Sequence, residues 1–161
     1  MNMGKSRIVF LDIDGTINSN AFYHKPHRGV PLDVEKVKLL NQLTGAMVVI
    51  SSSWGENGGK TTEQFKEAGL ELPIIGYTQH IHFQYEWACR GNEIEKWLLD
   101  AYGGMATMYG GEFQNTDYEY VIFDDDQDML LGQIDNFIHI NADTAITQED
   151  IDKAKKILDI K

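Results

Sequence analysis

The sequence predicts an α/β fold with three layers, in which helices cover both faces of a mainly parallel sheet. Five short apolar runs typical of buried strands alternate with four segments of helical periodicity. A chain of 161 residues, 42% of them apolar, is long enough to bury one full hydrophobic core. The chain has no internal repeat and no linker, so we predict a single domain over residues 1–161.

The strands are predicted at residues 7–11, 46–50, 73–77, 119–123 and 136–140. The helices are predicted at residues 31–43, 61–68, 93–101 and 148–158. Pro31 suits the first turn of the first helix, and Thr147 suits the N-cap of the last. The polar segment 18–30 is predicted to be a loop, and segment 103–118, rich in glycine and aromatic residues, a loop or loose hairpin.

Composition limits the classes of partner. The formal net charge of −11 repels phosphate backbones, so we expect no duplex-wide nucleic-acid binding and favour a small or end-bound substrate. No apolar stretch approaches the ~18 residues of a membrane span, and the N-terminus lacks the apolar core of a signal peptide. One cysteine, Cys89, cannot form an internal disulfide. These features predict a cytoplasmic protein without a membrane partner.

Two aspartates, Asp12 and Asp14, follow the first apolar run in the motif Asp-Ile-Asp-Gly-Thr. Gly15 permits a sharp turn there, and open α/β folds bind ligands at the carboxyl ends of their strands. Two close carboxylates repel each other unless a cation lies between them, and their hard oxygens suit Mg²⁺. An ordinary Asp-Gly turn is the simpler interpretation, but a turn needs only one aspartate. We therefore predict a Mg²⁺ site at this edge.

A second acidic cluster repeats the pattern after the fourth predicted strand, where Asp124 and Asp125 follow Val121-Ile122-Phe123. Neighbouring parallel strands bring their carboxyl ends to one edge of a sheet, so these carboxylates are expected beside those of the first motif. An acidic helix start is the alternative, because aspartate favours helix N-termini. Three or four carboxylates together favour the metal site.

Two further features are candidates for phosphate binding. Ser51 and Ser52 follow the second predicted strand, where hydroxyl and backbone N–H groups can hold phosphate oxygens; the sequence leaves the choice between them open. Arg90 comes shortly before a predicted helix and can reach a phosphate. A single arginine does not by itself indicate phosphate binding. Arg90 becomes a candidate because it lies between the serines and the second acidic motif, in the order of the four motifs along the chain.

This order of motifs resembles the haloacid dehalogenase (HAD) phosphatase superfamily, over most of the chain. In detail, Ser-Ser-Trp, the run Arg-Gly-Asn-Glu-Ile-Glu-Lys-Trp-Leu and the helix at 146–158 are similar to the HAD domains of Swiss-army-knife RNA repair proteins. The third motif of the superfamily usually carries lysine, so Arg90 is a departure. The resemblance implies a Rossmann-like HAD fold.

The resemblance also implies a phosphatase. Asp12 would attack the phosphorus and form an aspartyl-phosphate, which is covalent catalysis by a carboxylate. Asp14 would protonate the leaving oxygen and then take a proton from the hydrolytic water. Dehalogenases of the superfamily lack an aspartate at this second position, so phosphoester hydrolysis is favoured over dehalogenation.

The metal and the phosphate are assigned by the same resemblance. It implies that Mg²⁺ is held by Asp12, the backbone carbonyl of Asp14 and Asp125, with Asp124 close by. The residues that it implies for the phosphate oxygens are Ser51 or Ser52, and Arg90.

The spacing of the motifs predicts an open site. About thirty-five residues separate Asp14 from Ser51, and a similar interval runs from Ser52 to Arg90, so neither leaves room for a large cap domain. An open site admits a large substrate, and the narrower resemblance favours the terminal phosphate of a nucleotide or polynucleotide. Two alternatives remain: a phosphatase of small metabolites, and a phosphate-binding module on the HAD fold that has lost turnover.

Overall fold

The computed structural model describes residues 5–26, 29–83, 86–103 and 118–161, and five strands within these ranges form one parallel sheet. In chain order they are β1 (Ser6–Leu11), β2 (Ala46–Ile50), β3 (Ile74–Tyr77), β6 (Tyr118–Asp124) and β7 (Phe137–His139). A separate antiparallel pair consists of β4 (His82–Phe83) and β5 (Glu86–Trp87). Each strand of the main sheet begins and ends within one residue of its predicted bounds, so all five predictions are confirmed.

The α-helices of the described residues are α1 (Asn20–Tyr23), α2 (Val34–Leu40), α3 (Gly58–Glu67), α4 (Arg90–Leu98) and α5 (Gln148–Ile157). The N-cap predicted at Thr147 is confirmed, because its side chain accepts a hydrogen bond from the backbone N–H of Asp150. The start predicted at Pro31 is wrong. Asp33 caps α2 instead, since its carboxylate accepts hydrogen bonds from two backbone N–H groups of the first turn.

Other bounds also differ from prediction. Helix α2 ends at Leu40, three residues before its predicted end, and α4 ends at Leu98 and continues as a π-helical turn, Leu99–Gly103. The predicted loop at 18–30 contains the short helix α1, capped by the side chain of Ser19. Helices α3 and α4 each begin three residues before their predicted starts. Residues 27–28 and most of the predicted loop or hairpin at 103–118 lie outside the described ranges. Within those ranges, no helix has the length and apolar character needed to cross a membrane.

The sheet separates two layers of helices. Val9 and Leu11 of β1 point to one face and pack in a core with residues of α2, α3 and α5. Ile8 and Phe10 point to the other face and pack against α4, chiefly Ile94 and Leu98. This alternation is the period of two expected for a strand buried on both faces. The three-layer Rossmann-like architecture is therefore confirmed.

The order of the strands, β3-β2-β1-β6-β7, reverses direction at β1. The chain first builds outward from β1 through β2 to β3, then crosses over through α4 to β6 on the other side of β1. Open α/β sheets have a crevice at such a switch point, outside the carboxyl ends of the strands. At this end of the sheet, the described segment after β1 adds only the short helix α1, and the one after β3 adds only the β4–β5 pair. Neither of these two segments forms a large cap.

Candidate functional site

The register of the three central strands aligns polar side chains at the switch point. Leu11 is in register with the last apolar residue of β2 and with Phe123 of β6. The next row therefore contains Asp12, Ser51 and Asp124. The backbone N–H of Asp12 donates to the carbonyl of Phe123 at 3.0 Å, and that of Ser51 donates to the carbonyl of Leu11 at 2.8 Å. Residues in one row of a parallel sheet share a face, so these side chains lie beside one another.

Three carboxylates converge at this point. Asp12, Asp124 and Asp125 each offer an oxygen, and these three oxygens lie within 4.8 Å of one another. Asp12 is only 7% exposed and Asp124 only 2%, whereas Asp125 is half-buried. The two motifs that the sequence places at strand ends thus meet in one cluster, which we call the carboxylate cluster.

One oxygen of this cluster lacks a hydrogen-bond partner. Asp124 Oδ1 accepts a hydrogen bond from the backbone N–H of Asp126 at 2.9 Å. Its other oxygen, Oδ2, is buried and accepts no hydrogen bond from the residues that the structure describes; the Nε atom of Arg90 lies 3.6 Å away. A buried polar atom left unpaired is costly, and an ionised carboxylate oxygen more so. The vacant acceptor is what a cation ligand requires.

Burial and mutual repulsion act against ionisation of the cluster. Burial raises the pKa of Asp12 well above its ordinary value; the nearby Asp124 carboxylate raises it further, and Arg90 opposes both. Burial likewise raises the pKa of Asp124 to about 7, against the lowering effects of the Asp126 N–H and Arg90. The pKa of Asp125 is also raised, chiefly by burial. A bound cation would relieve the repulsion between these buried carboxylates. Their hard oxygens suit Mg²⁺, and all three residues could hold it.

Asp14 occupies a different position. It is exposed, and its carboxylate is not one of the three in the cluster. The indole Nε1 of Trp54 donates a hydrogen bond to Asp14 Oδ2 at 2.9 Å. Trp54 belongs to a 3₁₀ turn, Ser53–Asn57, that follows β2. The sequence reasoning missed this contact, although Trp54 stands within the Ser-Ser-Trp motif.

The turn after Asp14 depends on glycine. Gly15 has a φ of +84°, a region that other residues rarely adopt, and its N–H donates to the carbonyl of Asn18 at 2.8 Å. A Cβ atom at Gly15 would lie 2.3 Å from the carboxyl carbon of Asp125. The absence of a side chain at Gly15 therefore lets the Asp125 carboxylate reach the turn that carries Asp14.

Arg90 is held against the cluster by neighbouring residues. It is the first residue of α4, and its Nη1 donates to Glu93 Oε2 at 2.8 Å. Glu93 is buried, and its Oε1 accepts a hydrogen bond from the Ile81 N–H and lies 3.1 Å from Nδ1 of His80. Glu93 therefore orients the guanidinium beside Asp124. The sequence reasoning missed Glu93, which only the correct start of α4 would have revealed as the i+3 partner of Arg90.

The two serines differ in their surroundings. Both are buried. The Oγ of Ser52 accepts a hydrogen bond from the N–H of Trp54 and so caps the 3₁₀ turn. The Oγ of Ser51 lies 3.4 Å from the hydroxyl of Thr78. Ser51, not Ser52, lies in the row of Asp12.

Two pockets open beside the cluster. One has a volume of about 330 Å³ and is lined by Arg90, Glu93 and His80 among others. The other has a volume of about 300 Å³ and is lined by Asp14 and Asp125 together with residues of the α1 segment. The carboxylates thus have a pocket on the side of Arg90 and another on the side of α1.

The comparison with known families agrees with this architecture. Residues 8–151 match the model of the family described as the HAD domain in Swiss Army Knife RNA repair proteins. No curated protein and no solved structure matches the chain. The matched span covers most of the chain and contains both acidic motifs, the serines and Arg90. The chain therefore belongs to the HAD domain family of Swiss Army Knife RNA repair proteins.

Proposed function

We propose that this protein is a Mg²⁺-dependent phosphomonoesterase that works through an aspartyl-phosphate intermediate. The observation that carries the proposal is the carboxylate cluster beside the Arg90 guanidinium. Each of its three carboxylates places an oxygen within 4.8 Å of the others, and the buried Asp124 Oδ2 accepts no hydrogen bond from the described residues. A structural acidic surface needs neither the burial nor the arginine. Membership of a HAD family supports a phosphatase-type activity.

The proposed reaction has two steps. In the first, an oxygen of Asp12 bonds to phosphorus while the bond from phosphorus to the leaving oxygen breaks, and Asp14 gives that oxygen a proton. In the second, Asp14 takes a proton from water, the water oxygen bonds to phosphorus, and the bond to Asp12 breaks. Phosphate leaves, and both aspartates return to their starting states.

The remaining residues bind and orient the substrate. The Arg90 guanidinium and the Ser51 hydroxyl are proposed to hold the phosphoryl oxygens, where charge and hydrogen bonding favour the transition state. Mg²⁺ would be held by the carboxylate cluster and the backbone carbonyl of Asp14, and when bound it supplies positive charge between nucleophile and phosphate. The choice of Ser51 over Ser52 rests on the strand register and on the capping role of Ser52.

The proposed substrate is the terminal phosphate of a nucleotide or polynucleotide. Support comes from the family, which is described from RNA repair proteins, and from the absence of a large cap in the described segments after β1 and β3. A phosphatase of small metabolites is the second candidate, because a net charge of −11 disfavours a polyanionic substrate.

A substrate panel tests both candidates. Phosphate release is measured with and without Mg²⁺ on nucleotides, 3′- and 5′-phosphorylated oligonucleotides and sugar phosphates. We expect Mg²⁺-dependent release by the wild type and none by Asp12→Asn. The matched control is Asp159→Asn, which removes an exposed carboxylate far from the cluster: the backbone carbonyl of Asp159 accepts a hydrogen bond from Arg7, near the opposite end of β1.

The best substrate decides between a nucleic-acid end and a metabolite. Equal release by the wild type and Asp12→Asn would refute the covalent mechanism. Mg²⁺ binding without release from any substrate would instead favour a phosphate-binding module that has lost turnover.

A further inference from the structure

The short helix α1 is fixed in place beside the carboxylate cluster. Ser19 caps it, with its Oγ accepting a hydrogen bond from the N–H of Phe22 at 3.2 Å. The backbone N–H of Asn20 donates to the carbonyl of Ala142 at 2.8 Å, and the Asn20 side-chain amide donates to Asp143 Oδ1 at 2.8 Å. These bonds tie α1 to the segment after β7. The side chains of α1 are therefore held in position beside the carboxylate cluster.

Among the exposed residues of α1, Tyr23 has the large apolar side chain. Its side chain is 65% exposed, although a tyrosine ring gains from burial. A single exposed tyrosine is ordinary on a protein surface, and its position gives this one meaning. Tyr23 lines the pocket of about 300 Å³ whose other walls include Asp14 and Asp125. An aromatic surface therefore faces the space next to the proposed general acid.

This pocket lies where the leaving group of the proposed reaction must go. A general acid has to be within hydrogen-bonding reach of the oxygen that it protonates, so the leaving group lies on the side of Asp14. Arg90, the proposed ligand of the phosphoryl oxygens, lines the other pocket. The transferred phosphate and the group released from it thus have separate surroundings.

The walls of the α1 pocket define the chemistry of its ligand. They combine the Tyr23 ring with two carboxylates, those of Asp14 and Asp125, and with the amides of Asn18 and Asn20. No lysine or arginine of the described residues lines it. The carboxylates repel a second phosphate placed there, whereas an uncharged ring can stack on tyrosine.

We propose that Tyr23 stacks the nucleobase of the terminal nucleotide and that the α1 pocket is the nucleoside subsite. This rests on the proposed phosphatase function and narrows it, since a sugar phosphate lacks the ring that Tyr23 would hold. Stacking of a base on an aromatic side chain corresponds to a gain in affinity of roughly tenfold, within a range of about five- to 150-fold.

The test compares substrates that differ only in the base. Mg²⁺-dependent kcat/KM is measured for a nucleoside 5′-monophosphate and for ribose 5-phosphate, with wild type, Tyr23→Ala and Tyr23→Phe. Leu131→Ala, which truncates another exposed apolar side chain, is the control. We expect Tyr23→Ala to lower the nucleotide-to-ribose ratio of kcat/KM about tenfold, mainly through KM. Tyr23→Phe keeps its aromatic face and is expected to retain the ratio.

Other outcomes separate the subsite from the phosphatase itself. If the wild type hydrolyses both substrates equally well, or Tyr23→Ala leaves the ratio unchanged, the subsite is refuted while the phosphatase stands. If no substrate releases phosphate, calorimetric binding of the nucleoside monophosphate to wild type and Tyr23→Ala decides the subsite by itself: weaker binding by Tyr23→Ala supports it, and equal binding refutes it. Oligonucleotides with a normal or an abasic 3′-phosphorylated terminus repeat the comparison for polynucleotide ends.

Discussion

The carboxylate cluster should make the metal-free protein less stable as pH rises, and Asp124→Asn should remove much of that effect. The pKa of Asp124 is raised from 3.8 to about 7, chiefly by burial. Because the folded state binds this proton more tightly than the unfolded state, its contribution to stability is complete below about pH 4 and is lost as pH rises through about 7. A shift of roughly three pKa units corresponds to about 4 kcal/mol at most.

The variant retains part of the native contacts and loses part. An asparagine Oδ1 can still accept the N–H of Asp126, which lies at 2.9 Å in the wild type. Its amide NH₂ would face the Arg90 guanidinium, however, and the ion pair would be lost. We therefore expect Asp124→Asn to recover about half of the free energy of unfolding that the ionised Asp124 can cost, which is about 4 kcal/mol at most. Without metal at about pH 8, Asp124→Asn should be more stable than the wild type by about 2 kcal/mol.

Urea unfolding in EDTA at about pH 5 and about pH 8 measures this difference. The wild type should lose stability between these two pH values, and Asp124→Asn should lose clearly less. Asp159→Asn should behave like the wild type, because it removes a carboxylate outside the cluster. Added Mg²⁺ should stabilise the wild type more than Asp124→Asn. A variant less stable than the wild type at about pH 8 in EDTA would refute the electrostatic reasoning, as would equal pH dependence in all three proteins.

Two further predictions concern the geometry around the cluster, and a third concerns the net charge of the chain. Trp54→Phe removes the N–H donated to Asp14 Oδ2, so kcat should fall about tenfold for alkyl phosphates. It should fall little for p-nitrophenyl phosphate, whose leaving group needs no proton, and equal losses of kcat on both substrates would contradict a positioning role for Trp54. Gly15→Ala should weaken Mg²⁺ binding in calorimetry because its Cβ would collide with the Asp125 carboxylate, whereas Gly29→Ala, also at positive φ but with open space around it, should cost only stability. Rising salt should leave kcat/KM for a nucleoside monophosphate nearly constant and should not lower it for an oligonucleotide; a steep fall would indicate many phosphate contacts.

The strands and the meeting of the two acidic motifs could be predicted because both depend on local pattern. Apolar runs indicate buried strands, and the carboxyl ends of parallel strands lie at one edge of the sheet regardless of loop conformation. Helix starts were harder. Helix α4 begins at Arg90 after Cys89, which makes no side-chain capping bond, so the sequence carries no capping signal there. The four residues of α1 are too few to show a helical period.

The supporting residues of the site could not be predicted because their contacts join distant parts of the chain. Trp54 and Asp14 are 40 residues apart in the sequence and meet because Trp54 lies in a 3₁₀ turn, which no hydrophobic periodicity predicts. The contact between Glu93 and His80 depends on how α4 packs over the segment after β3. The choice of Ser51 over Ser52 likewise needed the register between β1 and β2, which apolar runs alone do not specify.

The acidic character of the chain agrees with a terminal phosphate as substrate. A net charge of −11 disfavours holding a duplex through many phosphate contacts, and the α1 pocket adds the carboxylates of Asp14 and Asp125 to that repulsion. A terminal monoester needs only one phosphate to enter the site, where Arg90 and a bound cation can offset its charge. The affinity for the rest of the substrate must then come from uncharged groups. In the proposed subsite, Tyr23 on α1 supplies such an interaction, and the nucleobase, not a second phosphate, is then the part of the substrate that this surface suits.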